Sequence, residues 1–386
     1  MRQNIFVLGL DDLNRSTLEL LPGADRYVFH PLLSTDELQT GMVSVPALLE
    51  KATAELDAFE GEIHAVVGYW DFPVSLMVPI LCQRFGLRCV DLTAVVKCEH
   101  KYWSRLEQQK VIDEVPAFGL LDLDAPRAAL PPGLQYPVWA KPVKSVSSEG
   151  AHRVRDDEEL QEAVELLRTE VDRLGVPFNE LLETLRLPPE IAEIGGRACI
   201  VEDEAAGHQL TVEGFSRNGE VRIYGVVDSL HYPGTSSFLR YEYPSALPAD
   251  VCRRVSEVSR RVITGIGLMG TTFNIEFFWE AETDRLRLLE INPRHSQSHA
   301  LLFQMVDGVS NHAFMLDLAL GTEPHLPQGE GPYAVAAKWF LRHFTDGVVR
   351  RVPSPEEVAA VEQAVPGTVV RPTVEVGTRL STGHGT

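Results

Sequence analysis

The chain is poor in cysteine, and the cysteines it has are unpaired by spacing. Cys82, Cys89, Cys98, Cys199 and Cys252 are scattered over 386 residues with no C-x-x-C, which favours reduced thiols over a disulfide framework or structural zinc. Positive charge is also in deficit: 35 Lys and Arg face 55 Asp and Glu, a formal net charge of −20. A general nucleic-acid or anionic-membrane surface needs a concentrated basic face to release counterions, so neither is an expected partner, although a small nucleotide can still bind a local basic pocket. Long hydrophobic runs are missing too. The longest apolar stretch, near Val74 to Cys82, is too short to cross a bilayer and contains Pro79. The opening MRQNIFVLGLDDLN passes from a short apolar strand directly into acids, without the apolar region of a secretory leader, so a cytoplasmic protein is expected. No G-x-G-x-x-G follows the first strand, only Leu8-Gly9-Leu10, so a dinucleotide site there is unsupported. Internal repeats and low-complexity tracts are lacking as well.

What is present is an ordinary globular composition, 44% hydrophobic and 23% charged, on a chain long enough for two or three domains. Residues 1–96 read as a small α/β unit, with strands at 5–8, 26–30, 63–68 and 88–90 and helices at 45–59 and 73–85. Such alternation implies a mainly parallel sheet. A charged and aromatic helix, KCEHKYWSRLEQQ, begins at Lys97. It leads to a strand at 137–142, a polar loop KSVSSEGAHRV, and a helix whose acidic first turn from Asp156 suits the helix dipole. Broken helix is expected over 170–195, strands at 198–202, 209–215 and 221–228, an irregular stretch at 231–246, helices at 248–265 and 299–320, and a short β-rich tail at 333–381.

The segment TTFNIEFFWEAETDRLRLLEINPR, residues 271–294, reads as a β-hairpin turning at Glu282-Thr283-Asp284. A turn centred on Thr283 sets Glu276 opposite Glu290 and Asn274 opposite Asn292, with all four on one face. Two opposed glutamates repel unless a cation lies between them or one takes up a proton. Such oxygen ligands suit Mg²⁺ or Mn²⁺. A solvated edge hairpin would show the same alternation. The sequel weighs against it, because Pro293 ends the strand and Arg294 sets a fixed cation just beyond the ligands. A metal, an amide and an arginine side by side suggest phosphate chemistry.

Upstream, Lys141 ends a strand before Pro142, and the loop with Ser145, Ser147, Ser148 and Gly150 can offer N–H groups and hydroxyls to phosphate oxygens. An ordinary hairpin turn with a surface lysine has the same composition. Lys101 is one charge on a helix that also carries Glu99, Arg105 and Glu107, and only the order of these elements makes it specific.

That order resembles the ATP-grasp superfamily, in its carboxylate–amine, amino-acid ligase form, over nearly the whole chain. The family's elements are an N-terminal α/β domain, a helix-borne lysine, a K-P strand with a glycine-containing loop, a hinge of the type E-x-x-x-x-G and a closing E…E-x-N-P-R. Here they correspond to Lys101, Lys141-Pro142 with Ser145 to Gly150, Glu202 to Gly207, and Glu276 followed by Glu290-Ile291-Asn292-Pro293-Arg294. The resemblance implies an α/β fold with α+β lobes. A Rossmann-like domain would cover 1–96 and an ATP-grasp domain 97–325, with its nucleotide lobe at about 115–205 and its metal-bearing lobe at about 206–325. A β-rich remainder of the catalytic lobe would fill 326–386. ATP would lie between the lobes, its adenine against Glu202, Asp203, Glu204 and Ala205. Its phosphates would be held by Lys101, Lys141 and the serine loop, and Mg²⁺ by Glu276, Glu290 and Asn292. Arg294, with Lys141 the implied catalytic residue, would bind the substrate carboxylate and then the transferred phosphoryl group. The implied chemistry is ADP-forming ligation through an acyl phosphate, with small-molecule carboxylate and amine as partners. A homodimer is compatible with the sequence and not required by it.

The chain departs from the family pattern in two places. Gln209 stands where many members carry a ribose-binding glutamate, which passes that role to Glu213 or a neighbour. His295-Ser296-Gln297-Ser298-His299 follows N-P-R where many amino-acid ligases have a glycine pair. His295, Ser296, Gln297 and His299 are therefore expected at the substrate, with Ser296 or Ser298 alternatively capping the next helix. His231 and Arg240, with Tyr241 and Tyr243, are candidates for a second substrate, against the plainer reading of this stretch as an exposed loop. A carboxylase and a non-catalytic ATP-binding module are the other classes the resemblance admits, and the intact metal ligands count against the second.

Overall fold

The computed structural model describes residues 2–41, 44–146 and 149–380. The chain divides into two compact units, Met1–Trp339 and Phe340–Thr386.

The first unit begins with strands β1 (Gln3–Leu8), β2 (Tyr27–Leu32) and β3 (Ile63–Val67), paired in parallel in the order β2-β1-β3. β1 is central, and Ile5, Phe6, Val7 and Leu8 are all buried, as a strand covered on both faces requires. The strand expected at 88–90 does not pair. Val90 is buried, but the segment runs directly into Asp91, whose side chain caps helix Leu92–Glu99. The helix expected from Lys97 onward is likewise two helices, Leu92–Glu99 and Lys101–Gln108. His100 breaks it: its side chain accepts from Trp103 N, and the freed Lys101 amide donates to Val143 O at 2.8 Å.

Next comes a four-stranded antiparallel sheet of β4 (Phe118–Leu121), β5 (Val138–Pro142), β6 (His152–Val154) and β7 (Cys199–Asp203), ordered β4-β7-β5-β6. Helix Asp157–Glu170, capped by Asp156, covers it through Leu160, Ala163, Val164 and Leu167 against Val138, Ala140 and Val201. The largest sheet holds β8 (His208–Arg217), β9 (Glu220–His231), β10 (Phe238–Tyr243), β11 (Thr272–Glu280), β12 (Arg285–Asn292) and β13 (Ala336–Trp339), ordered β12-β11-β8-β9-β10-β13. One face packs Leu210, Val212, Phe273, Ile275 and Phe277 against Val255, Val258 and Val262 of helix Ala249–Ile266. Each such fully buried aliphatic stabilises the lobe by about 1.5–3 kcal/mol. The opposite face is polar in its middle and is covered further along by Leu302 and Phe303 of helix Ala300–Asp307. The stretch expected to be irregular, 231–246, supplies β10, whose alternation is masked by the charged pair Arg240 and Glu242.

In the second unit the β-rich expectation fails among the described residues. Helix Pro355–Ala364, opened by a capping box between Ser354 and Glu357, accompanies a lone bridge between Val348 and Arg379. Pro353, Pro366 and Pro372 remove the donors a longer ladder would need, and S-P-E-E is the helix-start signal that the alternating valines obscured.

Candidate active site

The hairpin delivers the carboxylates as read from the sequence, by a less direct route. Near the turn, Glu280 faces Arg285 and Phe277 faces Leu288; the register then shifts, and Glu276 faces Glu290 and Asn274 faces Asn292. A β-bulge at Leu289 makes the difference: without it Glu276 would lie opposite an aliphatic side chain. Arg105 holds the bulge. Its Nη1 donates to Leu288 O at 3.0 Å and its Nη2 to Leu289 O at 2.6 Å.

Burial and the facing Glu290 push the Glu276 carboxyl up to about 7. Glu290 moves the other way. Burial alone would raise it, but Lys101 Nζ at 2.7 Å outweighs that and holds it below the ordinary range. Asn292 Nδ2 donates to Asn274 Oδ1 at 3.1 Å, and Gln209 Nε2 to Glu276 Oε2 at 2.8 Å. Among the described residues no group of three or more His, Cys, Asp or Glu is arranged to hold a metal. A cation here has two carboxylates and an amide oxygen from the protein, a set that fits Mg²⁺, which keeps waters and substrate phosphates for its other positions.

Glu202 is a buried knot at the end of β7. Arg105 Nε reaches its Oε1 at 2.7 Å and Lys141 Nζ its Oε2 at 2.7 Å. Burial would raise this carboxyl, yet the two cations pull it down to about 2. Its side chain is thereby committed within the protein, and Glu204 is paired with Arg153 at 2.6 Å, so the hinge has backbone groups to offer a base. Asp203, Glu204 and Ala205 line a cleft with Gln135, Pro137, Arg285 and Arg287. Gly207 lets this hinge cross β11: its φ is +107°, and a Cβ there would come within 2.3 Å of Trp279 O.

Lys101 also donates to Ser145 O at 2.9 Å, joining the root of the serine loop to the carboxylates. Gly150 closes that loop with φ +66°. Ser147 and Ser148 lie outside the described residues. Lys144, which the sequence reading passed over, is buried on Glu99 and lies over the rings of Phe72 and Phe178. Arg294, just past β12, meets Asp71 from the loop after β3, with Nε 2.8 Å from Oδ1 and Nη2 on the same oxygen.

Residues 134–300 match the family model of the ATP-grasp domain. Over those residues the chain carries an ATP-grasp domain. Among solved structures it is similar to an L-amino acid ligase from Bacillus licheniformis, at 15% identity and a TM-score of 0.67 over 93% of this chain and 85% of that one. It is also similar to a phosphoribosylglycinamide synthetase from Anaerococcus prevotii, at 13% identity and 0.60 over 91% and 84%. A biotin carboxylase from Campylobacter jejuni follows at 17% identity and 0.59, over 87% and 73%. At these identities the likeness is one of fold. No curated protein matches the chain.

Within the ATP-grasp lobe several expected substrate residues turn inward. Glu213 is fully buried and accepts from Tyr224 Oη at 2.8 Å, Asn274 Nδ2 at 3.0 Å and Ser296 N at 3.0 Å, with His299 Nδ1 at 2.9 Å. Its oxygens are engaged by protein donors, not turned into the cleft as expected. His295 is fully buried between Thr272 Oγ1 (3.1 Å) and His312 (2.9 Å), and burial keeps it neutral. His299, buried on Glu213, packs against the Tyr241 ring. Neither Ser296 nor Ser298 caps a helix through its side chain. Ser298 Oγ instead meets Gln297 Nε2 at 3.4 Å and Lys338 Nζ at 3.2 Å. His231 stacks on Phe238 on the cleft face of β9. Arg240, adjacent to Tyr241 on β10, points to the other face, where it pairs with Glu242 and lies over Trp339. The sequence reading missed Asp71, Lys144, Lys338 and the buried role of Arg105. Of these only Arg105 had a signal, its i, i+4 alignment with Lys101.

Proposed function

We propose that this chain is an ADP-forming carboxylate–amine ligase. The convergence of Glu276, Glu290 and Asn292 with Lys101, Lys141 and Arg294 carries the reading. It joins a cation site, a phosphate cradle and a carboxylate-binding arginine. In this reading a substrate carboxylate oxygen attacks the γ-phosphorus of ATP, the bond to the ADP oxygen breaks, and an acyl phosphate forms. An amine nitrogen then attacks the acyl carbon, inorganic phosphate leaves, and the amine gives up a proton.

Mg²⁺ or Mn²⁺, when bound, would neutralise the phosphate oxygens between Glu276, Glu290 and Asn292. Lys101 and Lys141, beside Glu290 and Glu202, supply positive charge to the phosphates, Asp203 to Ala205 border the base, and Arg294 orients the carboxylate. The division at 1–96, 97–325 and 326–386 belongs to this reading. The fold shared with an L-amino acid ligase supports an amino acid or related small acid as substrate.

The test is release of phosphate from ATP and Mg²⁺ with panels of carboxylates and amines, the products identified by mass spectrometry. ADP appearing only with both substrates is expected. AMP formation sinks the mechanism, ADP formation driven by bicarbonate alone favours a carboxylase, and ATP binding without turnover on any pair favours a binding module.

A further inference from the structure

Arg294 carries a companion that a simple carboxylate receptor does not need. Asp71 is supplied by the three-stranded parallel sheet, four residues beyond the end of β3. Its side chain is 32% exposed and that of Arg294 15%, so the pair borders the cleft. Both of the close Arg294 bonds go to Oδ1 of Asp71, while Nη1 has only a 3.4 Å contact with His295 O. One oxygen of the acid and one edge of the guanidinium therefore remain for a ligand. Asp71 also lies close enough to the paired glutamates to contribute to the upward shift of Glu276.

The pair is held from both sides. Trp70 Nε1 donates to Gly9 O at 2.9 Å, and Tyr69 is buried with its ring 5.1 Å from that of His312. His312 bridges His295 at 2.9 Å and Asn14 at 3.0 Å, and Asn14 donates to Asp11, the cap of the first helix. The neighbours of Arg294 and of Asp71 in the chain thus meet in one buried polar network.

We infer that Arg294 and Asp71 form a two-sign clamp for a zwitterion, so that the activated substrate is an amino acid whose free ammonium lies beside its carboxylate. The inference rests on the ligase reading above and adds the requirement for the ammonium. A plain monocarboxylate reaching Arg294 would lie against the Asp71 carboxylate or leave it half-buried and unpaired, and either is unfavourable. A zwitterion sets its carboxylate on the Nη edge of Arg294 and its ammonium on Oδ2 of Asp71, and the four charges cancel.

The test uses the full chain with Mg²⁺, ATP and hydroxylamine, which traps an acyl phosphate as a hydroxamate without a specific amine. Matched sets are compared: aliphatic, aromatic and acidic amino acids, their deamino analogues and their N-acetyl derivatives, read as ADP and hydroxamate. For the preferred skeleton, kcat/KM for the amino acid should exceed that for the deamino acid on the order of a hundredfold. Asp71→Asn should reduce that preference to about threefold, and Asp71→Glu should restore part of it. Equal turnover of deamino acids by the unaltered protein overturns the clamp and leaves the ligase standing. So does a preference that Asp71→Asn does not reduce. If no carboxylate of any class yields ADP, the ligase reading fails and the clamp with it.

Discussion

Two glutamates, the buried Glu202 at the hinge and the half-buried Glu276 in the hairpin, are shifted in opposite directions. Glu202, between Arg105 and Lys141, is pulled down to about 2. Glu276, facing Glu290 across the hairpin, is pushed up to about 7. The hinge carboxylate has its countercharges inside the chain and works as a fastener. The hairpin carboxylate faces a like charge, so the fold holds it at a cost that a divalent cation can relieve. Burial alone would not separate structural acids from functional ones here; the completeness of the charge balance does.

The sharpest way to break this contrast is to remove a hairpin carboxylate. Glu290→Ala should lower turnover by roughly a thousandfold or more, because the proposed ligand of the cation and the partner of Lys101 are lost together. Steady-state ADP release checks it, and a variant within threefold of the parent would sink the proposed site. Next in size is the hinge. Arg105→Met should cost about 3–5 kcal/mol in a denaturant melt, since it leaves Glu202 buried with one cation and frees the carbonyls of Leu288 and Leu289. A loss under about 1 kcal/mol would show that the hinge is not the fastener described.

The same contrast governs what the sequence could disclose. Glu276, Glu290, Asn292 and Arg294 were legible because a hairpin, a proline and an arginine lie within one short segment with period-two alternation. The register at the carboxylates was right, but the bulge at Leu289 was invisible, because the residues that stabilise it are contributed by Arg105, far away in sequence. Asp71 was hidden for the same reason: nothing in Tyr69-Trp70-Asp71-Phe72 says that the carboxyl end of β3 meets Arg294. His295 and His299 misled because polar residues after N-P-R read as cleft-facing, whereas Glu213 and His312 draw them into buried networks. Parallel β1–β3 could be read from alternating strands and helices, while β10 could not, being an edge-ward strand with charged alternate positions.

The third test is one of stability. With its folded value near 7 against an ordinary 4.5, Glu276 contributes stability fully below about pH 4.5 and loses it as pH rises through about 7. In metal-free protein at pH 8, Glu276→Gln should therefore be the more stable by about 3 kcal/mol, with the gain vanishing near pH 4. Glu202 has the opposite sign, its contribution being present above about 4.5 and lost only as pH falls through about 2. Equal pH slopes for the variant and its parent in thermal melts would remove the basis for calling the hairpin strained.

The smallest effect sharpens the comparison most, because it reads the cation directly. If Mg²⁺ binds between the glutamates without nucleotide, it must displace whatever proton Glu276 holds, so affinity should rise as pH passes through about 7 and flatten above it. Between pH 6 and pH 8 the gain should be about tenfold, or about 1.4 kcal/mol. Titration calorimetry in two buffers of different ionisation enthalpy should register proton release at pH 6 and almost none at pH 8. Glu276→Gln should abolish that release, whereas a hinge variant such as Lys141→Met should leave it in place. An affinity flat across this range would mean that the proton and the cation do not share a site, and the opposed carboxylates would then be a polar floor like Glu213.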